Sequence, residues 1–106
     1  MGVEPNDASQ VGSLLGAKLA VNEHFAYLEM KKLIPLHAMS ERSFRLAAFA
    51  LTGFANFSSV GIQIGGIGAM APERRHDLAR LGGRALFAGF LATLLNASVA
   101  GLLIQE

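Results

Sequence analysis

The chain contains little charge and no cysteine. Only 16% of its 106 residues are charged, whereas 52% are hydrophobic, a balance that soluble domains of this size rarely show. Lipid is therefore the expected solvent. The absence of cysteine excludes disulfides and thiolate metal sites. The formal net charge of +1 is too small for binding driven by phosphate neutralisation, so nucleic acid is not an expected partner.

Enzyme signatures are also missing. The sequence has no Gly-Lys-Ser/Thr phosphate loop, no Gly-x-Ser-x-Gly elbow and no His-Glu-x-x-His pair, which are the short motifs that most often indicate catalysis. The chain is therefore not predicted to be an enzyme. Residues 1–10 are polar and include Glu4 and Asp7, unlike the basic and apolar regions of a secretory signal. No signal peptide is indicated.

Two long uncharged runs are present, at residues 46–72 and 85–105. Each is long enough for a membrane span, which requires about 20 residues. The connection between them carries more basic than acidic side chains, and the positive-inside rule therefore predicts that it is cytoplasmic. Its basic residues are Arg74, Arg75, Arg80 and Arg84.

Residues 8–34 are apolar in two shorter pieces that meet at Asn22 and Glu23. Neither piece is long enough to span, so we expect a re-entrant helical hairpin, which is tolerated at membrane depth where protein or a water-filled cavity covers the backbone. Asp7 or Ser9 is expected to cap the first arm. Pro35 should end the second arm because it has no N–H to donate.

Small residues recur four apart along the apolar segments. This spacing lets membrane helices approach closely, although small residues are also common in membrane helices for no specific reason. The three series are Gly12, Gly16 and Ala20; Gly61, Gly65 and Ala69; and Ala97 with Gly101.

Polar residues cluster at the centre of the first uncharged run, around Gly53, Asn56 and Ser59. One interpretation is an unwound stretch between two half-helices, with Ser58 or Ser59 capping the second half. Broken helices of this kind bind solutes in secondary transporters. The alternative is a continuous helix whose polar side chains bond to neighbouring helices.

Two ionisable residues lie between the apolar arms of the expected hairpin. An acid such as Glu23 at membrane depth is usually functional, although it could instead be an ordinary interfacial carboxylate. His24 could act as a proton relay or a metal ligand, or it could simply pack. The residues alone do not decide between these interpretations.

Several motifs resemble those of concentrative nucleoside transporters. Residues 16–27, GAKLAVNEHFAY, are similar to the second re-entrant hairpin of that family, which reads G-x-K-x-x-x-N-E-F-x-A-Y. His24 departs from the usual Phe. Residues 40–43 and 50–62 resemble the broken seventh helix, and APERR at 71–75 with RAL at 84–86 resembles the approach to the last helix. The matches cover nearly the whole chain in the right order.

The resemblance implies an all-α membrane fold that forms one half of an inverted-repeat transporter. The expected parts are a re-entrant hairpin at 8–34, a broken transmembrane helix at 40–72 and a last transmembrane helix at 73–105. It also implies an ion-coupled symporter that uses sodium or protons. By resemblance Glu23, Asn56 and Ser59 contact the ribose of a nucleoside, and Phe54 lines the pocket.

The first repeat of that fold is absent from this sequence. The resemblance therefore implies a fragment of a multi-pass protein of the cell (inner or plasma) membrane, which needs its N-terminal half to transport and which assembles as a homotrimer when complete. No cofactor other than the coupling ion is implied. The alternative is a small non-transporting membrane protein that binds another membrane subunit through its glycine-lined helices.

Overall fold

The computed structural model describes residues 1–104, which are helical and contain no strand. The all-α prediction is confirmed for this part of the chain. Two short 3₁₀ turns lie at Pro5–Asp7 and Pro72–Arg74. The five α-helices are α1 (Ala8–Ala20), α2 (Glu23–Leu33), α3 (Glu41–Ala50), α4 (Phe57–Met70) and α5 (Arg75–Leu103).

Helices α1 and α2 are joined by two residues and pack against each other, so they form an antiparallel hairpin. Asn22 has an extended backbone, and its Oδ1 accepts a hydrogen bond of 2.8 Å from the N–H of Phe25. This side chain satisfies one of the free amides at the start of α2. The hairpin tip is formed by residues 21–23, because α1 ends at Ala20 and α2 begins at Glu23. The second arm ends at Leu33, shortly before Pro35.

The first uncharged run does not form a single helix. Residues 51–56 separate α3 from α4, so the alternative of one continuous helix is wrong. The expected cap of the second half, Ser58 or Ser59, is also wrong, because both residues already lie inside the first turn of α4. Asn56 caps this helix instead: its backbone is extended, and its Oδ1 accepts from the N–H of Ser59 at 2.7 Å.

Helix α5 extends beyond the uncharged run on its N-terminal side and reaches 29 residues. Together with the preceding 3₁₀ turn, it is the one helix in the described part of the chain that is long and apolar enough to cross a membrane. Helices α3 and α4 both pack along it. Gly101 lies beside Leu46 of α3, and Gly82 lies beside Val60 of α4, so the two half-helices run in tandem, antiparallel to α5.

The three series of small residues have different surroundings. Ala97 and Gly101 are buried, and Gly101 packs against α3. In contrast, a Cβ added at Gly12, Gly16, Gly61 or Gly65 would meet nothing within 4 Å. One series therefore serves internal packing, whereas the glycines of the other two face away from the remaining described residues.

Asp7 occupies the N-cap position of α1 but does not cap it with its side chain. Its carboxylate crosses to α3 instead, where Oδ2 accepts from the hydroxyl of Ser43 at 2.6 Å and from the N–H of Ser40 at 3.1 Å. Ser9 makes no side-chain cap of α1 either. The hydrogen bonds from Ser43 and Ser40 lower the pKa of the Asp7 carboxyl, because they favour the charged form. Asp7 therefore ties the base of the hairpin to α3.

Candidate functional site

The hairpin tip meets the break between α3 and α4. Oε2 of Glu23, the first residue of α2, accepts a hydrogen bond of 3.1 Å from Nδ2 of Asn56. These residues are 33 positions apart in sequence, so this contact depends on the tertiary fold. Asn56 is only 1% exposed, whereas Glu23 is half-buried. Two of the residues expected to bind ribose are therefore in direct contact.

Two helices begin at this place. Asn22 caps α2 and Asn56 caps α4, so the positive ends of two helix dipoles face the same region. Glu23 occupies the first turn of α2, where a negative charge is favoured. The arrangement presents backbone amides, a carboxylate and an amide side chain together, and it can both donate hydrogen bonds to a polar solute and accept them from it.

Ser59 and Phe54 lie on another side of Asn56. They line a cavity of about 530 Å³ between the break, α4 and α5, a volume within the range of small-molecule sites. Gln63 and Thr93 add polar groups to a lining that is otherwise largely apolar, and Glu23 is not among the residues that line it. Asn56 therefore joins the hairpin tip to this cavity. The side chain of Phe54 is 72% exposed.

Lys18 is not among the expected site residues, although it lies in the hairpin motif at residues 16–27. Its side chain is fully buried, and Nζ donates a hydrogen bond of 3.1 Å to the carbonyl of Ala50 at the end of α3. The same ammonium lies 5.7 Å from the centre of the Phe90 ring on α5, within range of a cation–π attraction. The signal in the sequence is the position of Lys18 within an apolar arm, at the K of the hairpin motif, since a lysine is seldom buried unless it is paired.

Gly53 makes room for these contacts within the break. A Cβ at this position would overlap the hydroxyl of Thr93 and would lie 3.4 Å from Nζ of Lys18. In the described chain only Gly2 and His37 have positive φ angles, so the requirement at Gly53 is for space and not for an unusual backbone conformation.

His24 is exposed on the first turn of α2. Within residues 1–104 no three His, Cys, Asp or Glu side chains come together in a way that could hold a metal ion. The hydrogen bond between Glu23 and Asn56 does not involve His24.

Residues 1–101 match the family model described as "Na+ dependent nucleoside transporter C-terminus". This chain belongs to that transporter family. An uncharacterized transporter of Haemophilus influenzae is 50% identical over 92% of the chain. The putative nucleoside permease NupX of Escherichia coli is 43% identical over 98% of it, and human sodium/nucleoside cotransporter 1 is 40% identical over 97%.

Solved structures of concentrative nucleoside transporters share the same fold. The transporter CNTnw in an inward-facing, substrate-bound state superposes with a TM-score of 0.87 at 43% identity, over 95% of this chain and 25% of that one. In an intermediate state of the same transporter the TM-score is 0.89. The membrane-transporter family predicted from the hairpin and broken-helix motifs is therefore confirmed.

The chain spans only part of its relatives. It covers 24% of the Haemophilus protein, 25% of the Escherichia coli permease and 18% of the human cotransporter, and these relatives are transporters, not enzymes. The nucleoside transporter family implies a membrane location. This partial coverage is consistent with a fragment of a longer transporter.

Proposed function

We propose that this chain is the C-terminal part of a sodium-coupled nucleoside symporter and that it contributes the ribose-binding half of the substrate site. The observation that carries the proposal is the contact of Glu23 with Asn56, which brings the hairpin tip to the helix break. Sodium is favoured over protons as the coupling ion because the family description and the human relative both name sodium.

The chemistry of the two residues suits a sugar. The Glu23 carboxylate has acceptor capacity beyond its bond to Asn56, and the Asn56 amide has a second hydrogen that it can donate. A ribose hydroxyl can donate to the former and accept from the latter. Ser59 adds a hydroxyl at the start of α4, and Phe54 supplies an apolar wall beside the cavity.

A complete site needs more protein than this chain. The cavity beside Asn56 is open, and large apolar side chains such as Phe54, Phe87 and Leu102 are exposed. Transporters with inverted repeats place the substrate at the interface of two repeats near the middle of the membrane. In the proposed assembly the hairpin is re-entrant, and α3 and α4 form one broken transmembrane helix. The N-terminal part supplies the contacts to the nucleobase and to the coupling ion. The complete protein is a multi-pass protein of the plasma membrane and forms a homotrimer.

The test is a full-length chimera in which this chain replaces the matching C-terminal segment of the Escherichia coli permease. We expect this chimera to take up nucleoside. Glu23→Gln keeps the shape of the side chain but removes its charge, so it should weaken uridine binding by roughly ten- to a hundredfold, which corresponds to ~1–3 kcal/mol for one broken hydrogen bond. Asn56→Ala should have an effect of similar size.

Ligand analogues make the test specific for ribose. An analogue without the contacted ribose hydroxyl should bind the wild-type chimera weakly, and Glu23→Gln should weaken its binding much less than that of uridine. Glu29→Gln is the matched control, because Glu29 lies on the same helix and pairs with Lys32. Equal losses for uridine and every deoxy analogue would show that Glu23 and Asn56 are structural. A chimera that reaches the membrane but takes up no nucleoside would contradict the transport proposal.

A further inference from the structure

The break between α3 and α4 leaves the last carbonyls of α3 without helical partners. The final four carbonyls of any helix lack such partners, and in lipid each unsatisfied group costs several kcal/mol. Two of them are satisfied by the residues that follow the helix. The N–H of Leu51 donates to Ala47 at 2.9 Å, and the hydroxyl of Thr52 donates to Phe49 at 2.7 Å.

The other two carbonyls are satisfied by the hairpin. The hydroxyl of Tyr27, on α2, donates to the carbonyl of Ala48 at 2.8 Å. Nζ of Lys18, on α1, donates to the carbonyl of Ala50 at 3.1 Å. Each arm of the hairpin therefore supplies one donor to the end of α3, and together with the local bonds they account for all four carbonyls.

The charge of Lys18 also suits its position. The C-terminal end of a helix carries a partial negative charge and is stabilised by a cation, and in secondary transporters such half-helix ends often coordinate the coupling cation. Here the buried ammonium lies at that end, between the Ala50 carbonyl and the space left by Gly53, within reach of the Phe90 ring.

The hairpin thus holds both sides of the break. Lys18 and Tyr27 cap the end of α3, and Glu23 bonds to Asn56, which caps the start of α4. We propose that Lys18 and Tyr27 are positioning residues that fix the break and thereby keep Asn56 within hydrogen-bond distance of Glu23. For its effect on substrate, this inference rests on the proposed nucleoside site.

The first measurement needs no substrate. The described chain has no cysteine of its own, so Ala55→Cys can serve as a probe of the break in a cysteine-free chimera. Ala55 lies beside Gly89 of α5 and lines the open cavity, so the rate at which a maleimide labels its thiol in the otherwise unchanged chimera is the reference rate for the ordered break. Lys18→Met retains the length of the side chain without charge or donor, and it should increase the labelling rate roughly tenfold.

Two variants accompany Lys18→Met. Tyr27→Phe removes a single hydroxyl, and it should increase the labelling rate by a smaller factor than Lys18→Met does. If Lys18→Met does not reach the membrane, Tyr27→Phe alone tests whether the hairpin fixes the break. Lys31→Met is the matched control, because Lys31 is an exposed lysine on the same hairpin, and it should leave labelling unchanged. Labelling at the reference rate in both Lys18→Met and Tyr27→Phe would overturn the proposal.

The second measurement is nucleoside uptake. A positioning role predicts that Lys18→Met raises the KM for uridine roughly tenfold, with Vmax and the amount of protein in the membrane unchanged. A loss of protein or of Vmax alone, with KM unchanged, would show that Lys18 serves only folding and would overturn the positioning role. Faster labelling of Ala55→Cys, with Vmax and the KM for every nucleoside both unchanged, would contradict the ribose assignment and leave the capping of the break supported.

Discussion

Gly53 offers a test of how tightly the break is packed. Gly53→Ala adds one methyl group that would overlap the hydroxyl of Thr93 and would come within 3.4 Å of Nζ of Lys18. The Thr93 side chain has few alternative rotamers, because it is buried and its hydroxyl donates to the carbonyl of Gly89 at 3.0 Å. A β-branched side chain within a helix is also restricted at χ1. We therefore expect a cost of about 1–3 kcal/mol, the usual range for overpacking.

The same geometry predicts a rescue. Thr93→Ala removes the overlapping hydroxyl, and the remaining distance from the new methyl group at position 53 to the Thr93 Cβ is 3.5 Å, an ordinary contact. The double variant should therefore be more stable than Gly53→Ala alone, although Thr93→Ala by itself loses a hydrogen bond worth ~1 kcal/mol. This coupling between two positions in contact is what a double-mutant cycle measures.

The assay is the thermal midpoint of the detergent-solubilised chimera, measured for the wild type, both single variants and the double variant. Uridine KM is measured in parallel, since a distorted break should also displace Asn56. The reasoning is refuted if Gly53→Ala melts with the wild type, or if the losses of the two single variants simply add in the double variant.

Three further predictions concern residues outside the break. A cysteine at exposed Ala79 in the chimera should react with a membrane-impermeant thiol reagent only from the cytoplasmic side; labelling of intact cells would reverse the orientation. His24→Phe should leave the pH dependence of uptake unchanged, and an altered pH dependence would instead reveal a proton-linked role. The pKa of Asp7 in the folded protein lies below its ordinary value of 3.8. The stabilisation that the Asp7 carboxylate gives to the fold is therefore present above pH 3.8 and is lost as the pH falls through the pKa of the folded state. Asp7→Asn should lower the melting temperature at neutral pH and make the melting temperature decline less steeply in acid.

The residues of the break disfavour a helix, but the sequence alone left a continuous helix open as the alternative. Gly53 lacks a side chain, and Asn56 competes for backbone hydrogen bonds, within an uncharged run long enough to span. The choice of cap could not be predicted from the sequence. Asn56, Ser58 and Ser59 are all suitable cap residues, and only the backbone conformation selects Asn56.

The roles of Asp7 and Lys18 could not be predicted from local pattern. Asp7 stands where a cap of α1 is expected, yet its partners are Ser40 and Ser43, more than 30 positions away. Lys18 donates to Ala50, 32 positions away. Local preferences identify residues that can satisfy a helix end, but packing decides which helix end comes within reach.

The four side chains that join the hairpin to the break differ in the hydrogen-bonding capacity that they leave available. Lys18 and Tyr27 direct their donors at backbone carbonyls of α3, which suits a structural role.

Within residues 1–104, Glu23 uses only Oε2, and Asn56 uses Oδ1 and one of its two amide hydrogens. Oε1 of Glu23 and the second amide hydrogen of Asn56 thus remain available for a ligand. A hydroxyl can donate to the first and accept from the second at once, whereas a methoxy group can only accept, and an unsubstituted carbon can do neither. The proposed preference of the site for a free sugar hydroxyl rests on this pairing, because any other group would leave at least one of the two partners without a hydrogen bond from the ligand.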